Sequence, residues 1–444
     1  MKKTMLSVIL LICLTITTVS AEEYDLDSYL VLVERNNPDL LIMFKDIELA
    51  GSDIALARSM FLPRAGVQGG YNRNFIEQTQ LMALPAQPNS INTNNPQQVI
   101  FLDQRTNFDN ELTMGVGISQ VLFSAGAISN YNKAKLGRAI REQSFEAARQ
   151  VVLCAAKKLY ARAELAMLVV EIRESSERLS LEQYQRVERR RQAGAATEMD
   201  LLSAEVDWRT KTDAVMEAKK NAELVLLAFR DLAGIPHTQT IELTQVRTEL
   251  PETHEIPNLG SILAGRADYR ALLLSRDLTD LERKAARNAF WPEVSASFNY
   301  ALGGMGNGSS FIGDYDFNSA SIGLTVSIPI LTGGARLTRM KAAQLEREKT
   351  NLVLSQRETA IESELIELQL RLEEARQRSE SSYRTVETAR RAVVLAQAAY
   401  ANGQATYLTV MDAQDRLDMV WLNFANVTFE YFSAYHDWEL ATGQ

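Results

Sequence analysis

The sequence predicts an α+β membrane protein in which short alternating strands and unusually long helices occur twice along one chain. Three observations predict it. Several segments have a period of two, with one apolar face and one small, polar face. Two stretches of ~65 residues lack proline and carry a helical seam. Short motifs from the first half recur in the same order in the second.

Composition leaves this class open and closes others. The 444 residues include 47 Lys+Arg against 56 Asp+Glu, a net charge of −9, which argues against a nucleic-acid binder. With 46% hydrophobic and 23% charged residues the chain is not disordered. Two Cys and three His leave too few ligands for a disulfide scaffold or a His-rich metal centre. Past the amino end no apolar run approaches the ~18 residues of a membrane helix, so a helical polytopic protein is excluded and a barrel is not.

Residues 1–21 read as a secretory signal peptide: Lys2 and Lys3, the apolar run Met5 to Val19, then Val19-Ser20-Ala21 as the cleavage site. Ile12 precedes Cys13, so the small residue of a lipoprotein signal is missing. Cys154 is then the one cysteine of the mature chain, read as a small packed residue.

The duplication sets the domain boundaries. Ala57-Arg58-Ser59-Met60-Phe61-Leu62-Pro63 recurs as Ala286-Arg287-Asn288-Ala289-Phe290-Trp291-Pro292, and Gly194-Ala195-Ala196-Thr197 as Gly403-Gln404-Ala405-Thr406. The expected first repeat, 22–234, holds a helix at about 37–62, strands 64–73 and 111–122, a long helix 128–193 and a helix 197–233. A linker at 235–258 follows. The second repeat, 259–444, holds strands 293–301 and 320–330, a long helix 336–402 and a helix 406–440. The loop between strands is long in the first half (73–110) and short in the second (302–319).

In the strands, Val294, Ala296, Phe298 and Tyr300 alternate with Ser295, Ser297 and Asn299, and Ile322, Leu324 and Val326 with Ser321, Gly323 and Thr325. A small polar face leaves an interior open, and segments of ~10 residues suit a tilted membrane strand. A half-buried soluble sheet is the competing reading of the strands alone. In the second long helix Ile361, Leu365, Leu368, Leu372, Ala375, Ser379, Ser382, Val386, Ala389, Val393, Ala396 and Tyr400 step by four and three, the period of coiled-coil contact. In the first, Val152, Ala156, Leu159, Ala163, Ala166 and Val170 do the same until Arg173 and Glu177 break the seam.

Four strands cannot close a channel, and an open sheet edge finds no hydrogen-bond partner in lipid. Several copies must therefore share one wall; three would supply twelve strands.

The signal peptide, Asn36-Asn37-Pro38, the doubled Ala-Arg-x-x-Phe-x-Pro and the doubled Gly-x-x-Thr, taken in this order, resemble the TolC-like outer-membrane efflux proteins. The resemblance covers essentially the whole mature chain. It implies a homotrimer with a 12-stranded transmembrane β-barrel, four strands per chain, continuous with a long periplasmic coiled-coil α-barrel in the bacterial outer membrane. It also implies an exit duct for a tripartite efflux pump or type I secretion system. The implied partners are a periplasmic adaptor protein and, through it, an inner-membrane transporter. The turns at Gly194, Ala195, Thr197, Gly403, Ala405 and Thr406 then become adaptor-docking tips. Asp200 matches the family's first-tip Asp and Tyr400 its second-tip Tyr, both at the aperture. Thr409 stands where the family has a second-tip Asp, while Asp412 and Asp415 follow on one helix face. Repeated by symmetry, these carboxylates would form rings that attract cations.

An enzyme is the first rival. No His-Glu-x-x-His, Cys-x-x-Cys or Gly-x-Ser-x-Gly occurs, and His237, His254 and His436 lie far apart. No cofactor or metal is expected. Gly303-Gly304-Met305-Gly306-Asn307-Gly308 has no Lys and no helix after it, and reads as a surface loop rather than a phosphate loop. The second rival is an exported coiled-coil scaffold or adhesin without a conduit.

Overall fold

The computed structural model describes residues 22–85, 99–239, 241–244, 258–308 and 315–443. The expected signal segment 1–21, with Cys13, and residues 245–257 of the expected linker, with His254, lie outside the described residues. The chain order is β1 (Glu22–Tyr24), α1 (Leu26–Asn36), α2 (Pro38–Ser59), β2 (Arg64–Arg73), β3 (Thr79–Pro85), β4 (Val99–Arg105), β5 (Asn110–Ser124), α3 (Ala125–Gln192) and α4 (Glu198–Ala233). Then follow β6 (Ile241–Leu243), α5 (Leu259–Gly265), α6 (Ala267–Asn288), β7 (Glu293–Gly306), β8 (Tyr315–Ser327), α7 (Ala335–Ala401) and α8 (Tyr407–Thr442). The chain divides into two compact units, both discontinuous in sequence.

One unit, the described residues of Ala50–Gly137 and Arg276–Lys349, holds the strands β2, β5, β7 and β8 in an antiparallel sheet of that order. The register fixes its two faces. One row reads Ala65, Ile118, Phe298, Ile322 across the strands, and a second reads Val67, Val116, Tyr300, Ala320. The rows that alternate with them, Gly66, Gly117, Asn299, Ser321 and Gln68, Gly115, Ala301, Ser319, are small or polar. Directly paired residues share a face, so the alternation of each strand adds up to one apolar and one polar surface. The apolar side chains face solvent: Val67 is 83% exposed and Ile322 86%. Strands β2 and β8 are the two edges of this sheet.

Three features of this unit depart from the sequence expectation. Strand β8 runs Tyr315–Ser327, so it starts before the expected 320–330 and leaves 328–330 outside it. The long loop of the first half carries its own antiparallel ribbon, β3 with β4. Gly303-Gly304-Met305-Gly306 is the end of strand β7, not a loop. A Cβ at Gly303 would lie 2.5 Å from the Leu112 carbonyl oxygen and 2.7 Å from the Phe317 ring. Phe317 folds over the bare backbone of its partner Gly303, and only glycine permits that approach.

The other unit, the described residues of Met1–Leu49, Arg138–Ser275 and Thr350–Gln444, is helical apart from the parallel pair β1 and β6. Its α7 seam is buried at Ile361, Leu365, Leu368, Leu372, Ala375, Ser379, Ser382, Val386 and Val393. In α3 the seam does not end at Arg173 and Glu177. Burial resumes at Ser176, Ser180, Gln183 and Val187, because a step of three residues from Arg173 shifts the phase. Asn36-Asn37-Pro38 is a helix stop and restart: the Leu40 amide donates to Asn37 Oδ1 at 3.1 Å, and Pro38 opens α2 where no amide is needed. Asn37 Nδ2 also donates to the Leu232 carbonyl at 3.0 Å, tying this break to α4. The stacked rings of Tyr29 and Phe229, 3.7 Å between centroids, sit beside it. Cys154 is buried, its thiol donating to the His436 carbonyl at 3.3 Å, and burial pushes its pKa up to about 11.

Candidate functional site

Both turns that join a long helix to the next are built alike. After α3, Gly194 takes φ +75°, its amide donating to Arg191 O at 2.9 Å, while the Ala195 amide reaches Arg190 O at 2.7 Å. After α7, Gly403 takes φ +71°, with Gly403 N to Tyr400 O at 3.0 Å and Gln404 N to Ala399 O at 2.8 Å. This double bond satisfies the last helical carbonyls and needs a left-handed residue, which is why glycine stands at both places. Gly194, Ala195, Gly403 and Thr197 are exposed, and Ala405 is half-buried.

The caps that follow differ. Thr197 Oγ1 accepts from the Asp200 amide at 3.1 Å, and Asp200 Oδ2 accepts from the Thr197 amide at 3.0 Å. Each closes an orphan donor of the other, a reciprocal capping box. Asp200 therefore spends its carboxylate on the turn itself. At Thr406 the Thr409 amide donates to Oγ1 at a long 3.4 Å, and the two hydroxyls lie 3.1 Å apart. Thr409 sends no side-chain acceptor back to the Thr406 amide among the described contacts, so this cap is one-sided.

Just behind the turns Val187, Leu201, Ala204 and Tyr407 form a buried cluster with Tyr400 against it. The Arg190 guanidinium lies 4.7 Å from the centre of the Tyr400 ring, linking α3 to α7. Tyr407 is 2% exposed, and its hydroxyl has no hydrogen-bond partner among the described residues. Burial raises its pKa, with Asp207, Tyr400 and Asp415 adding to the effect.

The carboxylates of α8 have different partners. Asp412 is exposed and accepts from Arg416 at 3.0 Å on its own helix. Asp415 accepts from Lys211 of α4 at 2.6 Å, and Lys211 also reaches Asp418 at 2.8 Å. The Ser176 hydroxyl of α3 donates to Asp418, and the Ser180 hydroxyl to Asp207 of α4. Burial disfavours the charge of Lys211, yet its two carboxylate hydrogen bonds outweigh that and raise its pKa. Asp207 is 8% exposed; burial raises its pKa, with Asp415 and Asp418 adding, against Ser180 and Lys211.

Thus Thr197 and Asp200 meet in one cap, Thr406 and Thr409 in the other, and Tyr400 packs with the cluster between. Asp412 and Asp415 have different partners, Arg416 and Lys211. The sequence reading did not single out Arg190, Ser176, Ser180, Asp207, Lys211 or Asp418. Ser176 and Ser180 become seam positions only through the phase shift after Arg173, so the apolar period does not mark them.

Among the described residues no helix is long and apolar enough to cross a membrane, and no cluster of metal-ligating side chains occurs. The fold is similar to that of a membrane protein from Pseudomonas aeruginosa, with a TM-score of 0.75 at 18% identity, covering 94% of this chain and 93% of that one. It is also similar to the CmeC outer membrane channel of Campylobacter jejuni, with a TM-score of 0.73 at 19% identity, covering 94% and 85%. In sequence the chain is 23% identical over 333 residues to the alkaline protease secretion protein AprF of Pseudomonas aeruginosa. That match takes in 73% of this chain and spans 65% of the relative's length. The model of the outer membrane efflux protein family matches residues 30–234 and 258–444, nearly the whole chain beyond residue 30, and the chain belongs to that family.

Proposed function

We propose that the protein is an outer-membrane exit duct, assembled as a homotrimer, that passively conducts substrates outward for a tripartite efflux pump or a type I secretion system. The observation that carries this reading is the four-stranded sheet with one apolar face, one small polar face and two open edges. Edges β2 and β8 need partners in lipid, and identical copies provide them: β8 of one beside β2 of the next. Three copies give twelve strands around a lumen lined by Gly117, Asn299, Ser321 and their neighbours. The 14 residues of β7, at ~3.3 Å rise and a tilt of ~45°, extend over roughly 30 Å of membrane normal, enough for the apolar band. Phe290 and Trp291, just before that strand, suit the headgroup level.

The helical part extends the same logic. Met199, Leu202 and Val206 are exposed along α4 and are covered when copies assemble. The doubled turns support reading 22–234 and 259–444 as two copies of one structural repeat joined by 235–258. We assign Gly194, Ala195, Thr197, Gly403, Ala405 and Thr406 to docking of a periplasmic adaptor, through which the duct meets an inner-membrane transporter. Tyr400, Asp200, Thr409, Asp412 and Asp415 belong to the aperture behind these tips. Asp412 is exposed and held by Arg416 of its own helix, whereas Asp415 is held by Lys211 of α4. The duct rests closed near the tips, and adaptor contact shifts it toward open. It acts as a conduit, without chemistry of its own.

Membrane fractionation with sizing in mild detergent tests the assembly. The duct is found in outer membranes as a trimer, whereas a soluble or monomeric product would leave a coiled-coil scaffold as the better reading. In planar bilayers Asp412→Ala lowers cation selectivity; unchanged current and selectivity would remove Asp412 from the aperture.

A further inference from the structure

We propose that Asp207 is a proton-controlled wedge inside a clasp that joins α4 to α8. The clasp is the bond from Lys211 to Asp415 at 2.6 Å and to Asp418 at 2.8 Å, with Ser176 of α3 on the far side of Asp418. Its inner half is shielded from water, the side chains of Lys211 and Asp418 being 11% and 16% exposed, while Asp415 on the outer side is 53% exposed. Asp207 lies one helical turn before Lys211 and receives a hydrogen bond from Ser180 of α3. The titratable and charged groups acting on it are Lys211 on its own helix, and Asp415, Asp418 and the Tyr407 phenol on α8; from α3 the contact is the neutral Ser180.

Charge counting gives the direction. With a proton on Asp207 the layer holds one ammonium and two carboxylates. Loss of that proton puts a third carboxylate against the same lysine, in a place where water screens it poorly. Burial already favours the protonated form of Asp207, and Asp415 and Asp418 reinforce it. The folded pKa is therefore raised, so the layer is tightest while Asp207 is neutral and loosens as pH rises through that pKa. Ionised Asp207 also competes with Asp415 and Asp418 for Lys211. The clasp opens with rising pH and re-forms as the proton returns. Its consequence for the aperture rests on the conduit reading above; the clasp itself does not.

Spin labels read the clasp directly. Met216 of α4 and Met419 of α8 are both exposed and take cysteine-linked nitroxides in a Cys154→Ser background, with the full protein in detergent. Between about pH 4, close to the ordinary carboxylate value of 3.8, and about pH 9 the α4–α8 distance distribution of the otherwise unchanged protein shifts to longer separations. Asp207→Asn holds the short distribution across the whole range, and Lys211→Met gives the long one throughout. A distribution that does not move with pH, or one that moves equally in Asp207→Asn, overturns the proposal. If Lys211→Met fails to fold, the Asp207→Asn comparison alone decides. Bilayer conductance of the same proteins separates the two readings. A pH-dependent distance without conductance ends the conduit and keeps the clasp. Conductance with a fixed distance does the reverse.

Discussion

Ile322 and Ser321 are neighbours on β8, yet the register places them on opposite faces of the sheet: Ile322 opposite Phe298, Ser321 opposite Asn299. If the apolar face meets lipid and the other lines a lumen, one lysine should have very different costs at the two positions. Ile322 is central in its strand and 86% exposed, so a lysine there places an ammonium near the middle of the bilayer. That costs about 2–4 kcal/mol per chain, or roughly one and a half to three decades in the folding equilibrium. In a trimer the cost is met three times. At Ser321 the same side chain extends into water among Gly117, Asn299 and Ser319, and costs about 1 kcal/mol or less. The assay is refolding of urea-unfolded protein into phosphatidylcholine vesicles, read as protease-resistant trimer. Ile322→Lys should lose most of the trimer and Ser321→Lys should keep it. Equal losses, or the reverse order, would refute a membrane-facing role for this surface. The comparison needs no knowledge of substrate, adaptor or aperture.

Thr409→Asp supplies the missing return bond to the Thr406 amide, as Asp200 does for Thr197. It should stabilise the start of α8 by about 0.5–1 kcal/mol, seen as slower amide exchange in its first turn. Acid should unlock a different place. The carboxyl of Asp268 is held at about 2, because hydrogen bonds from Arg266 and Arg357 outweigh the burial that opposes its charge. A depressed carboxylate pKa gives stability that is present above the ordinary value of 3.8 and lost as pH falls toward 2. The side chain is 35% exposed, which reduces the effect to about 1 kcal/mol. Thermal unfolding between about pH 4 and pH 2 should therefore lose less stability in Asp268→Asn than in the unchanged protein.

What was legible in the sequence was whatever repeats with a fixed period. The alternation at Val294 to Tyr300 falls within β7 and the four–three steps from Ile361 to Val393 are the buried line of α7, because a face that is buried or apolar must recur every two residues or every three and a half. Contacts between distant segments have no such period. The β1–β6 pair joins two three-residue strands some 220 residues apart, and the β3–β4 ribbon lay inside a stretch read only as loop. Gly303 looked like a loop residue for the same reason: the Phe317 ring that demands it comes from the next strand.

The same distinction runs through the candidate site. Gly194 and Gly403, Thr197 and Thr406 were visible because helix ends use local chemistry, and local chemistry is written in adjacent residues. The partners of the carboxylates were not. Asp412 and Asp415 share spacing on one helix, yet Asp415 turns to Lys211 of another helix while Asp412 stays with Arg416. Spacing defines a face; the residue across from that face decides whether a charge is free to act on a passing ion or is spent on holding two helices together. Ser176 and Ser180 sit at such a place. A small hydroxyl in a coiled-coil position keeps the helices close and offers a donor to an acid across the seam, buried at Asp207 and half-buried at Asp418. Ser176 and Ser180 lie past the point where Arg173 and Glu177 break the apolar period, so the layer around Lys211 becomes legible only when the helices that face these serines are known.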